Sequence, residues 1–189
     1  MSVSDASRIT FSDNRRLLIE PQPGSPGPLQ IVDTTTGSVD DLIVASGDIT
    51  RVDRPHASPD DRWLAFRAST AAGGSKTYVV PFVPRHPPAR DSWAQVDEPT
   101  VTGRPAGWSL DSRVLYLLLD TDGFRCLWGQ RVDGAGRLDG KPYAVRHFHG
   151  ANDSTFGSSY GNAITAEGFL LEATRRSGNV WLLAAPGRR

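Results

Sequence analysis

Short apolar runs recur along this chain, and clusters of Gly, Pro, Asp and Ser separate them. Runs of this length, rich in β-formers and bounded by turn residues, read as β-strands. The first quarter of the chain predicts strands over Arg16–Glu20, Leu29–Asp33 and Leu42–Ala45. The second predicts Val52–Ala57, Trp63–Ala68, Thr77–Val83 and Trp93–Asp97. The third predicts Arg113–Leu119, Phe124–Val132 and Pro142–His149, and the last Ala163–Thr165, Phe169–Thr174 and Val180–Ala184. Between them, Asp120-Thr-Asp-Gly123 reads as a hairpin turn with glycine where a positive φ is required. Asp133-Gly-Ala-Gly136 is a further turn. Pro84–Pro88 is a loop, because proline cannot donate to a ladder. No segment holds a 3.6-residue apolar period over three turns, so almost no helix is expected.

One strand class recurs. Phe11-Ser-Asp-Asn-Arg-Arg-Leu-Leu-Ile19 returns as Ser58-Pro-Asp-Asp-Arg-Trp-Leu-Ala-Phe66 and as Ser109-Leu-Asp-Ser-Arg-Val-Leu-Tyr-Leu117. A worn copy is Thr165-Ala-Glu-Gly-Phe-Leu-Leu-Glu172. Each is an acidic turn followed by an apolar strand, anchored at Asp13, Asp60, Asp111 and Glu167. A repeat of roughly 50 residues with several strands per repeat is the signature of a β-propeller blade. The expected fold is therefore all-β, a single repeat domain over 1–189 of about four four-stranded antiparallel units, near 1–50, 51–100, 101–150 and 151–189. The carboxylate of each turn is expected to accept backbone N–H groups. Trp63, Trp108, Trp128 and Trp181 fall at or beside strand positions, where packing between blades is expected. After Val180–Ala184 too little chain remains for an outer strand, and Met1–Ser7 is a poor substitute. The array is accordingly expected to be an incomplete or open propeller, with edges and faces that attract other chains.

Composition narrows the function classes. An apolar fraction of 38% with 22% charged residues is that of a soluble globular domain, and 19 Gly with 14 Pro match a turn-rich fold. Net charge is zero, so no global field draws nucleic acid or anionic lipid. The single Cys126 excludes an internal disulfide, and its strand context predicts a buried small hydrophobe rather than a nucleophile. No basic start followed by an apolar run opens the chain, and no apolar stretch approaches about 18 residues. The expectation is a cytoplasmic protein with no membrane partner.

Ala57-Ser-Pro-Asp-Asp-Arg-Trp-Leu-Ala-Phe66 and Gly107-Trp-Ser-Leu-Asp-Ser-Arg113 resemble TolB-type, WD-repeat-like propeller repeats. The strands at Thr77-Tyr-Val-Val80, Leu127-Trp128 and Val180-Trp181 fit the same pattern. Asp122 to Arg131, through Pro142 to His149, resembles the last blades of bacterial propellers that stand alone or follow a serine/threonine kinase domain. The resemblance implies a scaffold and no catalytic residues. Asp61 and Ser112 stand where the family has glycine, and Arg16 interrupts the first apolar strand. No kinase motif is present in the sequence.

Candidate chemistry is sparse. Gly157-Ser-Ser-Tyr-Gly161 has the form of a nucleophile elbow centred on Ser159, but no His follows it to act as base. His147 and His149 lie two apart on a strand and share a face, with Asp153 nearby, whereas His56 and His86 belong to other units; a metal site needs three or four convergent ligands. Asp120-x-Asp122-Gly123 lacks the later ligands of a calcium loop. Arginines are scattered rather than clustered with aromatics, which argues against nucleic acid. The reading that follows assigns no catalytic, cofactor or metal residues and no cofactor. It makes the chain a non-catalytic propeller scaffold for a protein or peptide partner, or for self-association through open blade edges. The alternative is a hydrolase or lyase with its site in the propeller funnel.

Overall fold

The computed structural model describes residues 6–11, 15–22, 27–97, 103–121, 123–149, 153–154, 163–166, 168–170 and 174–175. Three four-stranded antiparallel sheets follow one another in chain order. The first is β1 (Ala6–Phe11), β2 (Arg16–Pro21), β3 (Leu29–Asp33) and β4 (Val39–Ile43). The second is β5 (Ile49–Ala57), β6 (Trp63–Thr70), β7 (Ser75–Pro81) and β8 (Ala94–Gln95). The third is β9 (Arg104–Trp108), β10 (Val114–Thr121), β11 (Phe124–Val132) and β12 (Leu138–Arg146). The fourth unit contributes two short ladders, β13 (Asp153–Ser154) with β16 (Thr174–Arg175) and β14 (Ala163–Thr165) with β15 (Gly168–Leu170). Within each four-stranded sheet every strand pairs with its sequence neighbours, the meander of a propeller blade. The sheets do not close into a barrel. Among the described residues there is no α-helix, and a three-residue 3-10 turn at Arg90–Ser92 precedes β8.

Alternation along the second strand of each blade builds the core. In β6, Leu64, Phe66 and Ala68 join Leu18, Leu29 and Ile31 of the first sheet in one buried layer. Ala65, on the opposite face, joins Leu115, Leu117 and Leu119 of β10 in the next. In β10, Leu118 and Tyr116 face the other way, into a third layer with Leu127, Phe148 and Phe169. Each strand is thus apolar on both faces, because a blade is buried between two neighbours. The tryptophans act as expected where they are described. Trp108 is buried in the second layer, Trp63 and Trp128 pack against it, and Trp93 packs on the first. Trp181 lies outside the described residues.

The inner strands run side by side, β5 against β9 and β9 against β14. Gly107 makes the last approach feasible: a Cβ there would lie 2.9 Å from Ile164 Cδ1. The Thr121–Phe124 pair leaves a two-residue hairpin connection, with Gly123 at φ 83°.

Several boundaries differ from the sequence reading. The inner strand β1 was not anticipated, because its alternation is weak. β4 starts at Val39 and ends at Ile43 rather than Ala45, and β12 starts at Leu138 and ends at Arg146, short of both histidines. The outer strand of the second blade shrinks from Trp93–Asp97 to Ala94–Gln95, because the Trp93 ring turns inward onto Phe66 and Tyr78. Val180–Ala184 lies outside the described residues.

Candidate functional site

The two acidic turns that are described, at Asp60 and Asp111, are built alike, whereas Asp13 and Glu167 lie outside the described residues. Ser58 Oγ donates to Asp60 Oδ1 at 2.6 Å and accepts from the Trp63 N–H at 2.9 Å, while the Arg62 N–H donates to Asp60 Oδ1 at 3.2 Å. In the third blade Ser109 Oγ donates to Asp111 Oδ1 at 2.6 Å and accepts from the Val114 N–H at 2.9 Å, and the Arg113 N–H donates to Asp111 at 3.1 Å. Asp61 and Ser112, in place of glycine, occupy the left-handed region at φ 56° and 61°. The turn geometry therefore survives the substitution, at about 1 kcal/mol or more per residue. Ser112 Oγ also accepts the Asp60 N–H at 3.1 Å, and Arg16 reaches Asp61 at 3.6 Å, so each turn is tied to a neighbouring blade. The Ser109 hydroxyl and Arg113 N–H hold the Asp111 carboxyl below the usual carboxylate range. For Asp60, burial acts upward, and the bonds from Ser58 and Arg62 outweigh it. Each of these two carboxylates spends its Oδ1 on its own turn.

A second set of charges lies at the far end of the inner strands. Asp53, 3% exposed, accepts from Arg67 Nε and Nη2 at 2.7 and 2.6 Å and from Arg51 Nε at 3.0 Å. Burial alone would raise its carboxyl, but the Arg67 and Arg51 guanidinium groups hold it low. Asp120 takes Arg125 through two bonds at 2.7 and 2.6 Å, which commits its carboxylate to an ion pair. Arg104 sits among these groups. Burial, then Arg54, Arg125 and Arg67, lower its pKa to about 10, with Asp120 acting against them. Arg67, Arg104 and Arg125, scattered in sequence, are gathered here by register, since Asp53 pairs with Arg67, Leu118 with Arg104, and Asp120 with Arg125. The ion pairs tie β5 to β6 and β10 to β11.

A cleft of about 280 Å³ between the first two blades is lined by Arg16, Ile31, Asp33, Asp40, Pro84 and Arg85. Arg85 spans it, 3.3 Å from Asp40 and 3.8 Å from Asp33. Two arginines against two aspartates leave it without a net field, and no nucleophile lines it.

The histidines divide. His56 offers its main-chain carbonyl to Trp108 Nε1 at 2.9 Å, and a His86 ring nitrogen lies 3.1 Å from the Pro84 carbonyl; among the described residues neither falls in a group of three candidate metal ligands. His147 and His149 do come together, with rings 4.8 Å apart, and Cys126 joins them. The sequence reading missed Cys126, although the signal is one of register. The last β11–β12 pair is Leu127 with Arg146, which sets Cys126 opposite His147. Ser159 and the Gly157–Gly161 stretch lie outside the described residues, as do Asp122 and the side chain of Asp153.

Among the described residues, the row of the first blade that starts at Leu17 meets no neighbouring blade, although Ile19 on the same face is buried. The strand position that follows each turn is Leu64 in the second blade and Leu115 in the third, and both bury against the preceding sheet. In the first blade that position is Leu17. It pairs with Val32, which pairs with Val39, and alternation turns this row away from the buried Leu18–Ile31 row. Val39 is 44% exposed and Leu17 and Val32 are partly so.

No family model matches this chain, and no curated protein matches it. Among solved structures it is similar to TolB from Acinetobacter baumannii, with a TM-score of 0.59 at 16% identity over 89% of this chain. The chain spans 37% of the length of that TolB chain. The likeness is one of fold: a TolB-like β-propeller, of which this chain holds part of the blade complement.

Proposed function

We propose that this chain is a non-catalytic propeller module that binds a protein partner through the outer face of its first blade. The row Leu17, Val32 and Val39 carries the reading. Leu17 occupies the position that Leu64 and Leu115 use to receive a preceding blade, so its face has the pattern of an inter-blade surface. The occupant with the right chemistry is an antiparallel sheet offering an apolar face, packed at the ordinary sheet-to-sheet spacing of about 10 Å. A second copy of this chain or the blades of a larger protein would both supply one. The kinase-linked propellers that the third blade resembles motivate the finer version, in which the module is the C-terminal interaction or sensor part of a longer protein. Among the described residues no nucleophile, base and orienting group converge, which weighs against the hydrolase or lyase reading.

Sedimentation velocity over a wide concentration range tests the proposal. The expected result is reversible association that Leu17→Asp weakens while leaving the strand spectrum in far-UV circular dichroism intact. A monomer at all concentrations, with fully protected amides in β2 and β3, would count against it.

A further inference from the structure

Cys126, His147 and His149 lie on one side of the third blade. Cys126 stands in β11 two residues from Trp128 and from Phe124, so alternation places all three side chains on one face. β12 ends at Arg146, and the following His147-Phe148-His149 runs beside the start of β11. Phe148 turns into the third apolar layer, which sends both imidazoles to the other side. There the His149 ring lies 4.9 Å from that of Phe124, and the His147 ring meets Trp128 edge-on at 6.1 Å. One ligand atom from each of Cys126, His147 and His149 falls within 4.8 Å of the others. The sulfur is buried and accepts the Phe148 N–H at 3.4 Å, which fixes its direction.

We propose that these three residues form a binding site for a transition-metal ion of borderline softness, zinc or copper. One thiolate and two neutral imidazoles suit such an ion, whereas magnesium and calcium require oxygen ligands. Zn–S and Zn–N bonds of about 2.3 and 2.0 Å place tetrahedral ligand atoms roughly 3.3–3.7 Å apart. The cluster therefore needs to contract by up to about 1.5 Å, and both histidines are exposed, each with its ring against an aromatic neighbour. The buried sulfur is the fixed point and the imidazoles close onto it. On binding, the Cys126 thiol loses its proton to solvent, and no oxidation or reduction takes place. Three protein ligands leave a fourth position open to water. The bound ion clips β11 to the segment after β12 and so pins Phe148 in the layer that receives Phe169 of the fourth unit. Metal binding in this way secures the junction between the third and fourth units, independently of the open face of the first.

The experiment is titration of the reduced, metal-free full chain with Zn2+, and separately with Co2+ as a spectroscopic probe. Expected are one ion per chain, a zinc Kd of micromolar or tighter, and a thiolate-to-cobalt charge-transfer band in the near ultraviolet. His147→Ala and His149→Ala each weaken zinc binding at least tenfold; both residues are exposed, so the fold is retained. Cys126→Ser removes the charge-transfer band, and the histidine variants decide the matter if that variant folds poorly. Competition between zinc and cuprous or cupric ion shows which the site prefers. Absence of binding at tens of micromolar, a cobalt complex without the thiolate band, or wild-type affinity in His147→Ala would each overturn the proposal.

Discussion

Ser58→Ala and Ser109→Ala remove the same two hydrogen bonds from two copies of one motif, and burial alone separates them. Ser58 is fully buried, whereas Ser109 is half-buried beside an exposed Asp111. Each hydroxyl donates to an aspartate at 2.6 Å and accepts a strand N–H at 2.9 Å. A bond to an ionised group contributes about 1.5–3 kcal/mol, and an orphaned buried N–H costs about 1–3 kcal/mol. At Ser58 both losses apply, because the hydroxyl that accepts the Trp63 N–H is itself fully buried, and the expected cost is about 3 kcal/mol. At Ser109 water replaces the hydroxyl, and about 1 kcal/mol is expected. In a chain of this length these correspond to falls in Tm of roughly 6–12 and 2–4 °C. Urea unfolding followed by tryptophan fluorescence gives the comparison, with an unchanged m value required for both variants. The folded-state pKa of Asp60 is depressed, so its contribution is complete above about pH 4 and is lost as pH falls through the folded value. The Ser58→Ala deficit should therefore narrow in acid below pH ~4. Equal losses for the two variants, or a Ser58→Ala cost under about 1 kcal/mol, would refute the idea that burial grades the turn motif.

Arg67→Met should cost about 3–5 kcal/mol at pH 7, because it strips two short bonds from the buried Asp53 carboxylate; thermal unfolding at pH 7 and at pH 3 checks it, with a smaller deficit at the lower pH. Gly136→Ala should destabilise by about 3 kcal/mol, since its φ is +78° and the new Cβ would collide with the Trp63 ring that it contacts across the blade boundary. Chemical denaturation of that variant reads the loss directly. Asp61→Gly should change stability by less than about 1 kcal/mol, because relief of a left-handed residue is set against loss of the Arg16 pair, whereas Ser112→Gly should destabilise, because the Ser112 hydroxyl accepts the Asp60 N–H; paired midpoints in urea separate the two.

The blades were legible in the sequence because the acidic turn and the apolar strand after it recur at Ser58–Phe66 and Ser109–Leu117. That Leu64 and Ala65 serve two opposed core layers was not read from the sequence, since it depends on which blade lies on each face. Outer strands were read less well. β12 is exposed along most of its length, so burial leaves no alternation to mark its ends, and β8 is cut short by a tryptophan whose ring serves the core. The Cys126–His147–His149 cluster was half visible. Two histidines two apart are plain in the sequence, but the third ligand depends on hairpin register, which β-bulges in the β11–β12 pair shift twice. The arginines around Arg104 were hidden for the same reason, being brought together by strand pairing rather than by sequence spacing.

The central claim is that successive residues of the second strand in each blade serve opposite neighbours, which leaves Leu17 facing outward for a partner. A methyl–methyl nuclear Overhauser spectrum of the selectively labelled chain tests it most directly. The account predicts cross-peaks from Leu64 to methyls of the first blade such as Leu18 and Ile31, and from Ala65 to methyls of the third such as Leu115 and Leu117. Leu17 should show no cross-peak to either of the other blades of the same chain. Leu64 and Ala65 sharing one set of neighbours, or Leu17 contacting the second blade, would contradict it.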